Sequence, residues 1–192
     1  FLPEEDQGYF ITIVQGPEGV SLNYTSDVMN RVEKEILKNP DVIGTFVVGG
    51  FSFSGNTANS GLIFTTLKPW EERLRPDQSA SAVINKLRGS FSSITEARIL
   101  PISPPAIQGL GRFGGFQFEL QDRKGNESLN PLVQTLGQIL KQANQTPGLQ
   151  AVFSTFAANT PQLLVEVDRN QAKALQVSID DIFNTLQTLL GS

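Results

Sequence analysis

The chain has 192 residues, of which 39% are apolar and 18% are charged, and its net charge is −4. This length is enough for one large or two small domains with a buried core, and this composition excludes a disordered chain. No apolar run approaches the roughly 20 residues of a membrane-spanning helix, so the sequence predicts a folded polypeptide without such a helix.

The charge balance and the missing residue types limit the possible functions. Fifteen basic residues stand against 19 acidic ones with no concentrated basic stretch, which excludes the usual electrostatics of nucleic-acid binding. The chain contains no His and no Cys, which removes Ser-His-Asp and Cys-His catalysis and the common zinc and copper ligand sets. We therefore expect a protein that is not an enzyme, with no catalytic residues, no cofactor and no metal site. Mechanisms that use paired carboxylates or a lysine stay open, but no pair is indicated.

The first hundred residues alternate strand and helix patterns. Tyr9–Gln15 alternates as a strand, and the next segment carries apolar residues four apart, as an amphipathic helix does. Two strands follow, Val42–Phe53 and Leu62–Leu67, separated by a predicted Gly/Asn/Ser turn over Ser54–Gly61. A second helix, for which Asp77 is the candidate cap, and a strand over Ala97–Ile102 complete the order βαββαβ. This order predicts a ferredoxin-like α+β subdomain.

A second, partial unit of the same type is predicted after a Pro- and Gly-rich connection. A constant shift of 107 residues lays Tyr9 on Phe116, Val32 on Ile139 and the turn at Pro40 on the turn at Pro147. We therefore expect residues 115–157 to form a partial βαβ repeat. A strand over Leu163–Val167 and a helix that Ser178 and Asp181 cap would follow as a C-terminal strand-helix segment.

An aromatic cluster is the main candidate for a binding site. Phenylalanines and glycines are concentrated between Phe46 and Phe53, and Phe64 lies on the next predicted strand. The functional hypothesis is a loop with aromatic residues that lines an apolar cavity, since ligand sites are mostly apolar. The alternative is that these residues are ordinary core phenylalanines beside a glycine-containing hairpin. Gly50-Phe51-Ser52-Phe53 also resembles an RNA-recognition strand, but no basic residue precedes it.

Several segments resemble a known family of transporters. Phe1-Leu2-Pro3-Glu4-Glu5-Asp6-Gln7-Gly8 resembles the start of the second large periplasmic loop of resistance-nodulation-division (RND) efflux pumps. Leu67-Lys68-Pro69-Trp70-Glu71-Glu72-Arg73 and Val167-Asp168-Arg169 resemble further segments of that family, in the same order along the chain. The resemblance implies a soluble fragment from the periplasmic face of the inner membrane, cut from a hydrophobe/amphiphile exporter.

The resemblance also implies domains, partners and site residues. Residues 1–98 would be the first C-terminal porter subdomain, 99–157 the first half of the second, and 158–192 the start of the docking subdomain. The partners would be hydrophobic or amphiphilic small molecules, the other protomers of a homotrimer, a periplasmic adaptor protein and an outer-membrane channel. The segment Gly50–Gly55 would be a switch loop, and Leu100, Ile102 and Pro104 would belong to a second wall. The candidate substrate-binding residues are Phe46, Val48, Gly50, Phe51, Phe53, Phe64, Leu100, Ile102 and Pro104.

Some positions depart from the family. Some relatives carry phenylalanine at the positions of Leu100 and Ile102, and a basic residue at those of Asn56 and Phe153. We therefore expect a less aromatic wall and a less cationic entrance. The alternative to a transporter fragment is a stand-alone ferredoxin-like module that binds small molecules or regulates a partner.

Overall fold

A computed structural model describes residues 5–53, 55–105, 116–123, 128–149, 152–156, 158 and 164–190. The chain divides into two compact units, Phe1–Thr160 and Pro161–Ser192. None of the helices in these described ranges is long and apolar enough to cross a membrane. The elements are β1 (Tyr9–Gln15), α1 (Leu22–Ile36), β2 (Val42–Ser52), β3 (Gly55–Leu67), α2 (Ala80–Phe91), β4 (Arg98–Ile102), α3 (Asn130–Gln145), α4 (Arg169–Ala174) and α5 (Ile179–Leu190).

The first unit is built on a four-stranded antiparallel sheet in the order β2-β3-β1-β4. With α1 after β1 and α2 after β3, this is the ferredoxin-like arrangement that the sequence predicts, in a mixed α+β chain. One face of the sheet forms the main core with the apolar stripes of both helices. Its buried residues include Phe10, Val14, Val28, Met29, Val32, Ile63, Val83 and Leu87.

Two local predictions in this unit are wrong. Ser54–Gly61 was expected to be a turn, but β3 begins at Gly55 and pairs with β2 at Gly55, Asn56 and Gly61. The polar side chains do not prevent pairing because the ladder is formed by backbone groups. Asp77 is not the cap of α2, because it lies in a 3₁₀ turn over Pro76–Gln78. The cap is Ser79, whose hydroxyl accepts a hydrogen bond from the Ala82 N–H.

Of the predicted repeat, the described residues form the helix and neither strand. α3 lies where the 107-residue shift requires it, but the described residues 116–123 and 152–156 form no strand. A strand exists only with a pairing partner, and the described part of the chain offers Phe116–Leu120 none. Within the described residues of 115–157, the expected βαβ pairing of the repeat is therefore not formed.

The described part of the C-terminal unit, Pro161–Ser192, contains the helices α4 and α5. Residues 164–167, the described part of the predicted strand, form no strand. The next residue, Asp168, caps α4, a helix that was not predicted from the sequence. The cap of α5 is confirmed, since the Asp181 N–H donates to the Ser178 hydroxyl over 3.0 Å.

Candidate functional site

The sheet face opposite the two helices, called the open face below, carries the aromatic candidates. Residues that pair directly across an antiparallel ladder share a face, so the register groups side chains into rows. The first row across the sheet is Phe46, Phe64, Ile11 and Ile102, and the second is Val48, Leu62, Ile13 and Leu100. Five of the nine candidates, two of them aromatic, therefore lie side by side on one surface.

Phe46 and Phe64 form the aromatic part of the first row. Their ring centroids are 6.2 Å apart, and the planes are inclined by 40°. Phe46 lies on the edge strand β2 and is 68% exposed, whereas Phe64 is partly buried. An exposed ring that already contacts a second ring gives an apolar ligand a surface on which to stack.

Phe51 and Phe53 follow an irregularity in β2. The register shifts between Gly49 and Phe51, and Gly50 has φ 77°, a conformation that disfavours other residues. Phe51 is nevertheless a strand residue that pairs with Asn56 and is 41% exposed, so the expectation that it lies on a loop is wrong. Phe53 lies in the turn and packs against the apolar cluster of the open face. The rest of the proposed switch loop includes Ser54, which lies outside the described residues.

The residues expected on a second wall lie on or beside β4. Leu100 and Ile102 belong to the same two rows as Val48 and Phe46, so they extend the open face. Pro104 lies two residues beyond the end of β4 and is buried. The adjoining residues 106–115 of the predicted wall lie outside the described ranges.

A small cavity lies at one end of the open face. Its volume of about 10 Å³ holds about one water molecule. Ligand pockets are typically about 300–1,000 Å³, so this cavity is far too small to enclose a ligand. The cavity is lined by Ile13, Gln15, Arg98, Leu100, Phe153 and Thr155.

Arg98 is a member of this site that the sequence analysis missed. It pairs with Gln15 across β1 and β4, one step along the open face from the pair of Ile13 and Leu100. Its guanidinium carbon lies 5.9 Å from the centre of the Phe153 ring, and its Nη1 donates to the Ser154 carbonyl over 3.3 Å. Arg98 alternates with Leu100 and Ile102 along the chain, which indicates that the three side chains share one face of the strand. The pairing of Arg98 with Gln15 is known only from the register of β4 against β1.

Comparison with known proteins identifies the family. The sequence model of the AcrB/AcrD/AcrF family matches residues 1–192. The chain is 42% identical over 194 residues to the multidrug export protein AcrF of Escherichia coli (strain K12), a match that covers 100% of this chain and 19% of AcrF. It is 38% identical over 195 residues to the multidrug resistance protein MdtF of the same strain, covering 100% of the chain and 19% of MdtF.

A third relative comes from another genus. The multidrug/solvent efflux pump membrane transporter MepB of Pseudomonas putida is 37% identical over 194 residues, covering 100% of the chain and 18% of MepB. The chain thus spans about a fifth of the length of these relatives. The resemblance to RND multidrug efflux transporters is confirmed, and the chain belongs to the AcrB/AcrD/AcrF family.

Proposed function

We propose that this chain is a substrate-binding part of a proton-driven multidrug efflux transporter. In this proposal the open face contacts hydrophobic or amphiphilic molecules on their way out of the cell. The chain itself carries out no chemical reaction. Its membership of a family with members named as multidrug and solvent efflux proteins supports this assignment over a stand-alone regulatory module.

The observation that carries the proposal is the apolar character of a sheet face on which no helix of the described chain packs. Two four-residue rows lie there, and among the described residues Phe53 and Phe153 pack onto the cluster from outside the sheet. Ile11, Ile13, Leu62 and Ile102 are buried, whereas Phe46 at the edge of the first row is exposed. A sheet face of this kind is normally covered in a folded domain. A ligand that covers the exposed Phe46 ring gains about 25 cal/mol for each Å² of apolar surface removed from water.

The remaining parts of the proposal concern the longer protein. The chain would lie on the periplasmic face of the inner membrane, within a homotrimer that contacts an adaptor protein and an outer-membrane channel. Proton coupling would belong to segments outside this chain. These assignments rest on the family to which the chain belongs.

The proposal is tested in a hybrid transporter in which this chain replaces the matching segment of AcrF. The hybrid is expressed in E. coli cells that lack their own multidrug pumps, and resistance to apolar dyes is measured. Phe46→Ala should lower dye efflux several-fold while the hybrid remains at its normal level in the membrane.

Leu74→Ala is the matched control, because Leu74 is also an exposed apolar residue but lies outside the two rows. It should leave efflux unchanged. Equal efflux by the Phe46→Ala hybrid and the unmodified hybrid would count against a substrate-binding role of the open face.

A further inference from the structure

The first turn of α1 contacts both strands of the β2–β3 hairpin near its tip. A Cβ added at Gly49 or at Gly50 would lie 3.4 Å from Cδ1 of Leu22, the first residue of α1. The Leu22 side chain therefore lies directly over the irregularity of β2. The Thr25 hydroxyl, in the same turn, donates to the Ala58 carbonyl of β3 over 2.7 Å. One helical turn thus fixes the hairpin on its β2 side and on its β3 side.

The tip of the hairpin beyond these contacts, called the distal hairpin below, is formed by the described residues 51–53 and 55–57. It carries Phe51 and Phe53, and Phe53 packs against the apolar cluster of the open face. On the β2 side it joins the sheet through Gly50, whose φ is 77°. Because glycine has no Cβ, the backbone bends more easily here than elsewhere in the strand. A contact at this point therefore determines where the two phenylalanines lie.

Leu22 contributes little to the main core. Its side chain is 45% exposed and does not belong to the buried cluster that both helices form with the sheet. Val28 and Met29, further along α1, are by contrast fully buried in that cluster. Truncation of Leu22 should therefore cost little stability while it frees the irregularity of β2.

We propose that Leu22 is a positioning residue for Phe51 and Phe53. Its side chain prevents the distal hairpin from bending toward α1 about Gly50, and this keeps the Phe53 ring against the open face. Leu22 lies on the helix side of the sheet, so it affects a ligand on the open face only through these rings. That last step rests on the proposed function, whereas the positioning itself does not.

The first test follows the position of residue 53 without any ligand. The chain contains a single tryptophan, so the substitutions Trp70→Phe and Phe53→Trp together place one indole at the tip. Adding Leu22→Ala to this reporter chain should move the emission to longer wavelengths and raise its quenching by acrylamide, because the indole leaves the apolar cluster. Adding Leu22→Met instead should leave the emission unchanged, since methionine fills a similar volume.

Two further variants show whether the contact over the glycines causes the change. Leu37→Ala is the matched control, because Leu37 is a leucine of similar exposure, 48%, at the other end of α1. It should not change the emission. Gly49→Ala, added to the Leu22→Ala reporter chain, should move the emission back, because its methyl group points to the position of the lost Cδ1. All these chains should unfold at nearly the same urea concentration.

The second test measures binding of N-phenyl-1-naphthylamine, an apolar dye whose fluorescence rises in apolar surroundings. It is titrated into purified chains that keep Phe53 and Trp70. Leu22→Ala should weaken binding by up to roughly tenfold, the effect of losing one ring from the ligand surface. Leu37→Ala should leave the affinity unchanged.

The two tests separate this inference from the proposed function. An unchanged emission of the reporter chain with Leu22→Ala overturns the positioning role, whatever the dye does. A changed emission with a large loss of stability also overturns it, since Leu22 would then support the whole fold. A changed emission with unaltered dye binding supports the positioning role and overturns its link to the ligand. Failure of the unmodified chain to bind the dye contradicts the proposed function, while the emission still decides the role of Leu22.

Discussion

Arg73 donates two hydrogen bonds to the carboxylate of Asp6, from Nη1 to Oδ2 over 2.8 Å and from Nη2 to Oδ1 over 3.0 Å. The Arg73 side chain is 1% exposed, and its Nε donates to the Lys68 carbonyl. The backbone N–H of Ala80 at the start of α2 donates to the same Asp6 carboxylate. One ion pair therefore joins the segment before β1 to the end of β3 and the start of α2.

The first prediction is that Asp6→Asn lowers stability at pH 7 and flattens its acid dependence. The hydrogen bonds from Arg73 hold the pKa of the Asp6 carboxyl well below its usual range. The folded chain keeps this carboxyl ionised at pH values where the unfolded chain, with a pKa of about 4, has protonated it. The stabilisation is thus present above about pH 4 and is lost as the pH falls toward the folded pKa.

Urea unfolding at pH 7 and at lower pH checks this prediction. Asp6→Asn leaves the buried Arg73 charge without its partner and should lower the free energy of unfolding by about 3 kcal/mol at pH 7. The difference from the unmodified chain should shrink below about pH 4. Glu96→Gln, which breaks the exposed pair with Arg31, should have little effect. An equal acid dependence of the Asp6→Asn variant and the unmodified chain would contradict the assignment.

Local periodicity was enough to predict the order of helices and strands in the ferredoxin-like subdomain. β1, α1 and α2 were found because each has a regular apolar pattern that a single buried face imposes. The start of β3 at Gly55 was missed because its polar residues resemble a turn, while the pairing with β2 is a long-range property. The opposite error occurred at Phe116–Leu120. Its apolar residues alternate as in a strand, but in the described part of the chain the segment pairs with no other strand.

The aromatic candidates could be picked out from the sequence, but their arrangement on the sheet could not. Phe46 and Phe64 stood out by composition, and the structure pairs them directly. The position of Leu100 on the same face, and that of Arg98 at its end, depends on the register of β4 against β1. This register is set when distant strands pair in the sheet, so it cannot be predicted from the local sequence of either strand.

Two buried threonines should respond in opposite ways to the same substitution. Within the described residues, the Thr12 hydroxyl is buried without a hydrogen-bond partner. The Thr25 hydroxyl, which is also buried, donates to the Ala58 carbonyl over 2.7 Å. Thr12→Val should therefore raise the free energy of unfolding by about 1 kcal/mol, and Thr25→Val should lower it by about 1–2 kcal/mol. Urea unfolding of both variants checks this contrast, and a destabilising Thr12→Val would reveal a partner for that hydroxyl.

Gly61 should be required by the packing of Met29. A Cβ at Gly61 would clash with Sδ and Cε of Met29 and would lie 3.0 Å from the Val48 carbonyl oxygen. Met29 is itself fully buried, so it has little room to move. Gly61→Ala should lower the free energy of unfolding by about 1–3 kcal/mol.

A double substitution tests whether Met29 causes this effect. In a Met29→Ala background the added methyl group has space, so Gly61→Ala should cost less there than in the unmodified chain. Gly44→Ala is the control, because a Cβ at that position meets no described atom within 4 Å. Identical costs of Gly61→Ala in the two backgrounds would assign the strain to the Val48 carbonyl instead.

Phe46 should matter for binding and not for folding, whereas Phe10 should do the reverse. Phe46 is 68% exposed on the open face, and Phe10 is fully buried under the helices. Phe46→Ala removes little buried surface and should change the free energy of unfolding by less than about 1 kcal/mol. Phe10→Ala should lower it by about 3–5 kcal/mol, because it leaves a cavity in the main core.

Binding to the purified chain gives the second half of this comparison. Loss of the Phe46 ring removes one stacking partner and part of the apolar contact, so the affinity for N-phenyl-1-naphthylamine should fall roughly tenfold. Phe10→Ala should leave that affinity unchanged under conditions where the variant is still folded, since Phe10 faces the opposite side of the sheet. If the open face binds ligands, Phe46→Ala should weaken dye binding and Phe10→Ala should not. A large loss of stability in Phe46→Ala would show that Phe46 stabilises the fold. An unchanged affinity for the dye would show that Phe46 does not bind this ligand.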